Sequence, residues 1–136
     1  MTIGDQIAAE ALTLVGAPFR LRGRDPDMGL DCVGLVMVAA RRAGLTVSEP
    51  PAYRLHGTSR ARAETLLAHN GLVPAGCEAP GDVLLVESGP MQLHLMIRAA
   101  AGHVHAHAGL GRVVLMPPPA PWPVLGIWRV IPKASA

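Results

Sequence analysis

Aromatic side chains are nearly missing from this 136-residue chain: Phe19, Tyr53, Trp122 and Trp128 are the full set. Its core must therefore be assembled from Val, Leu, Ile, Met and Ala. Cysteine is equally scarce. Cys32 and Cys77 are too few and too far apart for a disulfide framework, so free thiols are expected. No apolar run approaches the roughly 20 residues of a membrane span, which argues against membrane insertion. Net charge is small, +2 from 12 Lys+Arg and 10 Asp+Glu, and no basic run stands out. That excludes the usual electrostatic footprint of a nucleic-acid binder. The opening "MTIGDQIAAE" lacks a basic segment followed by an apolar one, so no secretory signal is expected and the chain reads as a soluble protein. Its length suits a single domain, residues 1–136, with one core.

What is present divides into two halves. Ile3, Ile7, Ala11, Leu14 and Val15 recur at helical spacing, with Thr2 and Asp5 placed as a capping box and Gly16 and Pro18 as stops. A Gly- and Pro-studded loop follows over residues 17–30. "DCVGLVMVAARRAGL" is apolar all round from Val33 to Ala40 and predicts a buried helix, capped by Asp31 and closed by Arg41, Arg42 and Gly44. Residues 46–58 read as irregular, with "EPPAY" extended. "SRARAETLLAHNG" predicts a short amphipathic helix from Ser59, closed by Asn70-Gly71. After "PAGCEAPGD" the pattern turns to short strands, "DVLLVE", "LHLMIR", "HVHAHA" and "RVVLM", then a proline-rich connector "MPPPAPWP" and a last strand "VLGIWRVI". Helices first and strands second predict an α+β fold, with an antiparallel sheet of about five strands packed on the helices.

The chemistry centres on "LDCVGL". Cys32 falls at the start of the buried helix, where free N–H groups and the helix dipole favour a thiolate. The alternative is a packed core thiol. Asp31 opposes a low thiol pKa, and Gly34 leaves room for a backbone or a substrate. A thiol nucleophile needs a base held by a third group. His94 lies on a strand face with Met96 and Arg98. His103, His105 and His107 share one face of the next strand, and the two segments form a hairpin. A tight Ala99-Ala100 turn would set His94 opposite His105, and a looser one ending at Gly102 would set it opposite His107. Parity leaves the three histidines open. They could instead form a solvated face or bind zinc; a metal site would leave Cys32 without a role, so no metal or cofactor is expected. His56, His69 and Cys77 read as surface or incidental residues.

"GAPFRLRGRDPDMGLDCVGLV", followed in order by "PGDVLLVE", "HLMI" and "GHVHA", resembles the NlpC-type cell-wall cysteine peptidases. Their signature is a Pro-Tyr–Gly-Gly loop followed by Asp-Cys-Ser-Gly-Leu, and the likeness runs from about residue 8 to 116. It is best with the short peptidases of phage tails and phage-like gene transfer particles. The resemblance implies a papain-like fold, with Cys32 as nucleophile, His94 as general base and His105 orienting it, His103 and His107 being the alternatives. It implies substrate contacts from Phe19, Arg20 and Asp31, and hydrolysis of an amide in the peptidoglycan stem peptide. It also implies synthesis in a bacterial cytoplasm, assembly with phage-like tail or baseplate proteins, and action at the cell wall. The proline-rich connector or the C-terminus is the expected docking contact. Three positions depart from the pattern: Phe19 stands for the loop tyrosine, Val33 for serine, and Arg24 for the second glycine of the pair. Arg20, Arg22 and Arg24 alternate in this loop, suited either to stem-peptide carboxylates or to a solvated basic surface.

Overall fold

The first helix begins reciprocally: the Asp5 N–H donates to the Thr2 hydroxyl and the Thr2 N–H to the Asp5 carboxylate. The computed structural model describes residues 1–50 and 57–131. Helix α1 runs Ile3–Thr13, α2 Cys32–Arg42 and α3 Arg60–His69. Gly16, Gly44 and Gly71, the stops expected after each, all adopt the left-handed backbone. Helix α2 is the buried one, with Leu35, Met37, Val38, Ala39 and Ala40 in the core. Helix α3 is less amphipathic than its sequence suggests, since Leu67 is its one buried residue. Residue His56 and most of the "EPPAY" stretch lie outside the described residues, as does the C-terminal segment 132–136.

Six antiparallel strands form the main sheet, one more than expected: β3 Leu72–Ala75, β4 Val83–Gly89, β5 Gln92–Ala99, β6 Gly102–His107, β7 Arg112–Met116 and β8 Val124–Val130. Their order is β3-β8-β4-β5-β6-β7. The unexpected strand is β3, which holds Pro74 and pairs only with β8 at the sheet edge, where a missing N–H is tolerated. The loop before α2 also contains a small ribbon, β1 Arg24–Asp25 and β2 Gly29–Leu30. Valine and leucine alternate across the sheet. Leu93, Leu95, Ile97, Ala99, Val104 and Ala106 face the helices, while Leu84, Val86 and Met96 face outward. The proline-rich connector covers that outer face: Ala120 and Trp122 pack on the Leu84, Val86 and Met96 cluster.

Two carboxylates fix the joints of this frame. Asp82 is buried and accepts from the Ala79 N–H and from the Arg129 guanidinium, tying the start of β4 to β8. Asp31 is fully buried at the start of α2. It accepts from the Gly34 N–H at 2.8 Å, from the Arg22 N–H at 2.9 Å and from the Arg24 guanidinium at 3.0 Å. The loop lies so close to α2 that a Cβ on Gly34 would run into the Gly23 carbonyl, so that glycine makes room for backbone.

Asp31→Ala removes a helix cap and leaves the Gly34 and Arg22 N–H groups without their acceptor, while the Arg24 guanidinium keeps Glu49. It should lower stability in urea by about 2–4 kcal/mol, and Asp31→Asn, which keeps the cap, by less. A loss under about 1 kcal/mol in the alanine variant would contradict this role.

Candidate active site

The β5–β6 hairpin places the histidines. Its ladder holds three pairs next to the turn, Ile97↔Val104, Arg98↔His103 and Ala99↔Gly102. This is the looser of the two turns considered, and continued further it would set His94 opposite His107. The pairing instead ends at Ile97, and the strands part. Across the gap His94 reaches diagonally, and its Nε2 lies 2.9 Å from Nδ1 of His105. The other two histidines are engaged elsewhere. His103 is buried with its Nε2 2.6 Å from Glu78, whose carboxylate also sits 3.6 Å from Arg98. His107 accepts from the Leu110 N–H through Nδ1. Among the described residues, no group of three or more His, Cys, Asp or Glu side chains is arranged to hold a metal ion.

A cavity of about 660 Å³ opens where the strands part. Cys32, His94, His105, His107, Phe19 and Trp122 line it, with Arg22, Ser88 and Gln92 among its polar wall. Cys32, the first residue of α2, is 1% exposed. Trp122 stands edge-on to both imidazoles, its ring centroid 5.7 Å from His94 and 5.4 Å from His105. Nothing in the strand pattern points to Trp122; its one signal is a tryptophan held in a proline-rich frame. Met116 was missed too. Its sulfur lies 2.7 Å from His105 Nε2. With its proton on Nε2, toward a thioether that can only accept, His105 would present a bare Nδ1 to His94. His94 Nε2 is then the donor, and its Nδ1 keeps the lone pair a general base needs.

Several sequence expectations change here. Arg20 is exposed and is not part of the cavity wall; Leu21 and Arg22 are. Asp31 does not line the cavity either, because its carboxylate holds the loop and the helix start. The loop position with the backbone glycine favours is Arg22, with φ 60°, rather than Arg24. The helix start does not yield a low thiol pKa. Burial, and then the adjacent Asp31 carboxylate, push the Cys32 thiol up to about 12. Backbone groups of Leu95, Val33 and Cys32 oppose this without offsetting it. Burial, then His105 and His107, pushes His94 down to about 3; burial, then His107 and His103, pushes His105 down to about 4. The free site therefore rests as a neutral thiol beside neutral imidazoles. Cys77, by contrast, is an exposed free thiol.

A second, mainly apolar cavity of about 450 Å³ lies between α2, α3 and the sheet, and among the described residues no titratable side chain lines it.

With helices in front, six antiparallel strands behind and a cysteine at a helix start sharing a cavity with a histidine pair, the architecture is papain-like. No family model and no curated protein sequence matches this chain. Solved structures do. NlpC1 from Trichomonas vaginalis aligns with a TM-score of 0.67 and 23% identity over 93% of this chain and 44% of its own. The peptidoglycan hydrolase RipB from Mycobacterium tuberculosis aligns at 0.62 and 21%, over 96% and 66%. The NlpC/p60 domain of the peptidoglycan hydrolase SagA aligns at 0.57 and 22%, over 84% and 88%. These likenesses show the fold: the chain has the NlpC/p60 fold. It spans less than half of the two Trichomonas structures, NlpC1 and NlpC2.

Two measurements test the electrostatics. Below pH 6.5 the unfolded chain takes up protons on His94 and His105 that the folded protein refuses down to about 3 and about 4, so stability should fall as pH drops through that window. Above pH 9.0 the unfolded chain loses the Cys32 proton that the folded protein keeps to about 12, so stability should fall there as well. Urea midpoints should thus peak between these limits, and a His94→Gln/His105→Gln variant should flatten the acid limb. Secondly, iodoacetamide at pH 8 should label exposed Cys77 well ahead of buried Cys32, as read by peptide mass mapping; equal rates would refute the raised thiol pKa.

Proposed function

We propose that this chain is a cysteine peptidase that hydrolyses an amide of the peptidoglycan stem peptide. The observation that carries the reading is the shared cavity of Cys32 with the His94–His105 pair. Support comes from the fold, and from RipB and SagA, which are described as peptidoglycan hydrolases.

Among the described residues no hydrogen bond joins Cys32 to His94, and burial holds the proton on sulfur. The thiolate is then made during attack rather than beforehand. As substrate enters, the Cys32 proton passes to Nδ1 of His94 while sulfur bonds the amide carbon. His105 steadies the imidazolium through the Nε2 bond. The backbone N–H of Cys32, in the first turn of α2, is a donor for the oxyanion. The C–N bond then breaks, the leaving amine takes the proton from His94, and an acyl-enzyme remains. Water, deprotonated by His94, releases the acid and restores the thiol. Phe19 contributes ring surface to the wall but no hydroxyl donor.

For the setting, we propose a phage-like tail or baseplate that carries the protein from the cytoplasm of a bacterium to the cell wall, which it opens locally during DNA delivery. The supporting feature is the sequence resemblance to the short peptidases of phage tails and phage-like gene transfer particles. A second reading, a structural tail component with weak or no activity, is favoured by Phe19 and by the buried thiol.

The purified protein should release soluble peptides from peptidoglycan, detected by mass spectrometry. Cys32→Ala should reduce release to background. Full release by that variant would sink the peptidase reading, and no release by the parent protein would favour the structural one.

A further inference from the structure

Three arginines alternate in the loop before Cys32, and the fold gives them different surroundings. Arg20 is exposed and stands outside the cavity wall. Arg24 is ion-paired with Asp31 at 3.0 Å and with Glu49 at 2.8 Å. Arg22 is exposed too, but it lies at the cavity that also holds Cys32 and His94 and is one of its lining residues. Among the described residues its backbone N–H is bonded, to Asp31, while its guanidinium has no hydrogen-bonding or ion-pairing partner.

The backbone at Arg22 is unusual for an arginine. Its φ of 60° lies in the left-handed region, which glycine occupies freely and long side chains rarely do. Asp31 enforces it. One carboxylate oxygen takes the Arg22 N–H at 2.9 Å, and the other takes the Gly34 N–H at 2.8 Å, two residues beyond Cys32. A single buried carboxylate thus fixes Arg22 and the nucleophile's helix against each other. Strain of this kind persists where the surroundings over-determine it, and it concentrates at working sites. Among the described residues the lining includes no Asp or Glu. With the imidazoles of His94 and His105 held neutral, Arg22 supplies a permanent positive charge to a wall on which no described side chain is negative.

We infer that Arg22 is a specificity-determining residue that binds a substrate carboxylate beside the scissile amide, so that the preferred substrate is an acidic peptide with that carboxylate free. The inference rests on the peptidase reading above for what happens at the amide, and on the loop geometry for where the carboxylate sits. An exposed cation forms only a modest pair in water, but a partly enclosed wall with no competing acid strengthens it.

The test uses two stem-peptide analogues that differ only in whether the carboxylate beside the scissile amide is free or amidated. Their binding to the full chain carrying Cys32→Ala, which prevents turnover, is measured by calorimetry. The free acid should bind roughly tenfold more tightly than the amide, and the difference should shrink with added salt. Adding Arg22→Gly or Arg22→Asn, both suited to the left-handed backbone, should abolish the difference without lowering the urea midpoint. Equal binding of the two peptides, no detectable binding of either, or a difference that survives both substitutions overturns the inference. Turnover by the parent protein is scored separately. Arg22-dependent binding without cleavage leaves the inference standing and removes the peptidase reading. Cleavage with no Arg22-dependent preference does the reverse.

Discussion

The carboxylate of Asp31 joins the two halves of the site. A Gly- and Arg-rich loop of this composition has no core of its own. It is held against α2 because a buried acid there accepts from the Gly34 and Arg22 N–H groups and pairs with Arg24. Once the loop is docked, Phe19 and Arg22 form one wall of the cavity and Cys32 sits at its floor. Asp31 also sets the charge state of the site. A carboxylate next to a buried thiol disfavours the thiolate, so the same group that positions Cys32 keeps it protonated at rest.

The histidine side is built by a sheet that stops pairing. Were β5 and β6 laddered along their full length, their edges would close against each other. Their separation beyond Ile97 and Val104 opens the cavity and lets His94 cross to His105. Met116 flanks His105 at Nε2, and Trp122 stands edge-on to both rings. Desolvation by these neighbours keeps the imidazoles neutral, the state in which an imidazole can accept a thiol proton. The resting site therefore resembles a loaded proton-transfer pair more than a standing thiolate–imidazolium ion pair.

Local patterns were sufficient for much of this. Caps and glycine stops marked the three helices, the all-apolar run marked α2 as buried, and alternation in "LHLMIR" placed His94 on the face opposite Leu93, Leu95 and Ile97. The edge strand β3 was hidden by Pro74 and the β1–β2 ribbon by its two-residue strands, both too weak as patterns to register. Trp122 was invisible as a site residue because it comes from a connector that folds over the outer sheet face, and Met116 because only the β6–β7 register brings its thioether to His105.

Sequence by itself determined the element types, the α+β order, the position of Cys32 at a helix start and the common face of the four strand histidines, because these depend on periodicity and capping within a few residues. Tertiary structure alone decided which histidine meets His94, which loop arginine reaches the cavity, and whether the thiol rests protonated. Those outcomes depend on strand separation, on a carboxylate shared between loop and helix, and on desolvation. Each of these is set by how one element packs on another, which periodicity and capping within an element do not encode.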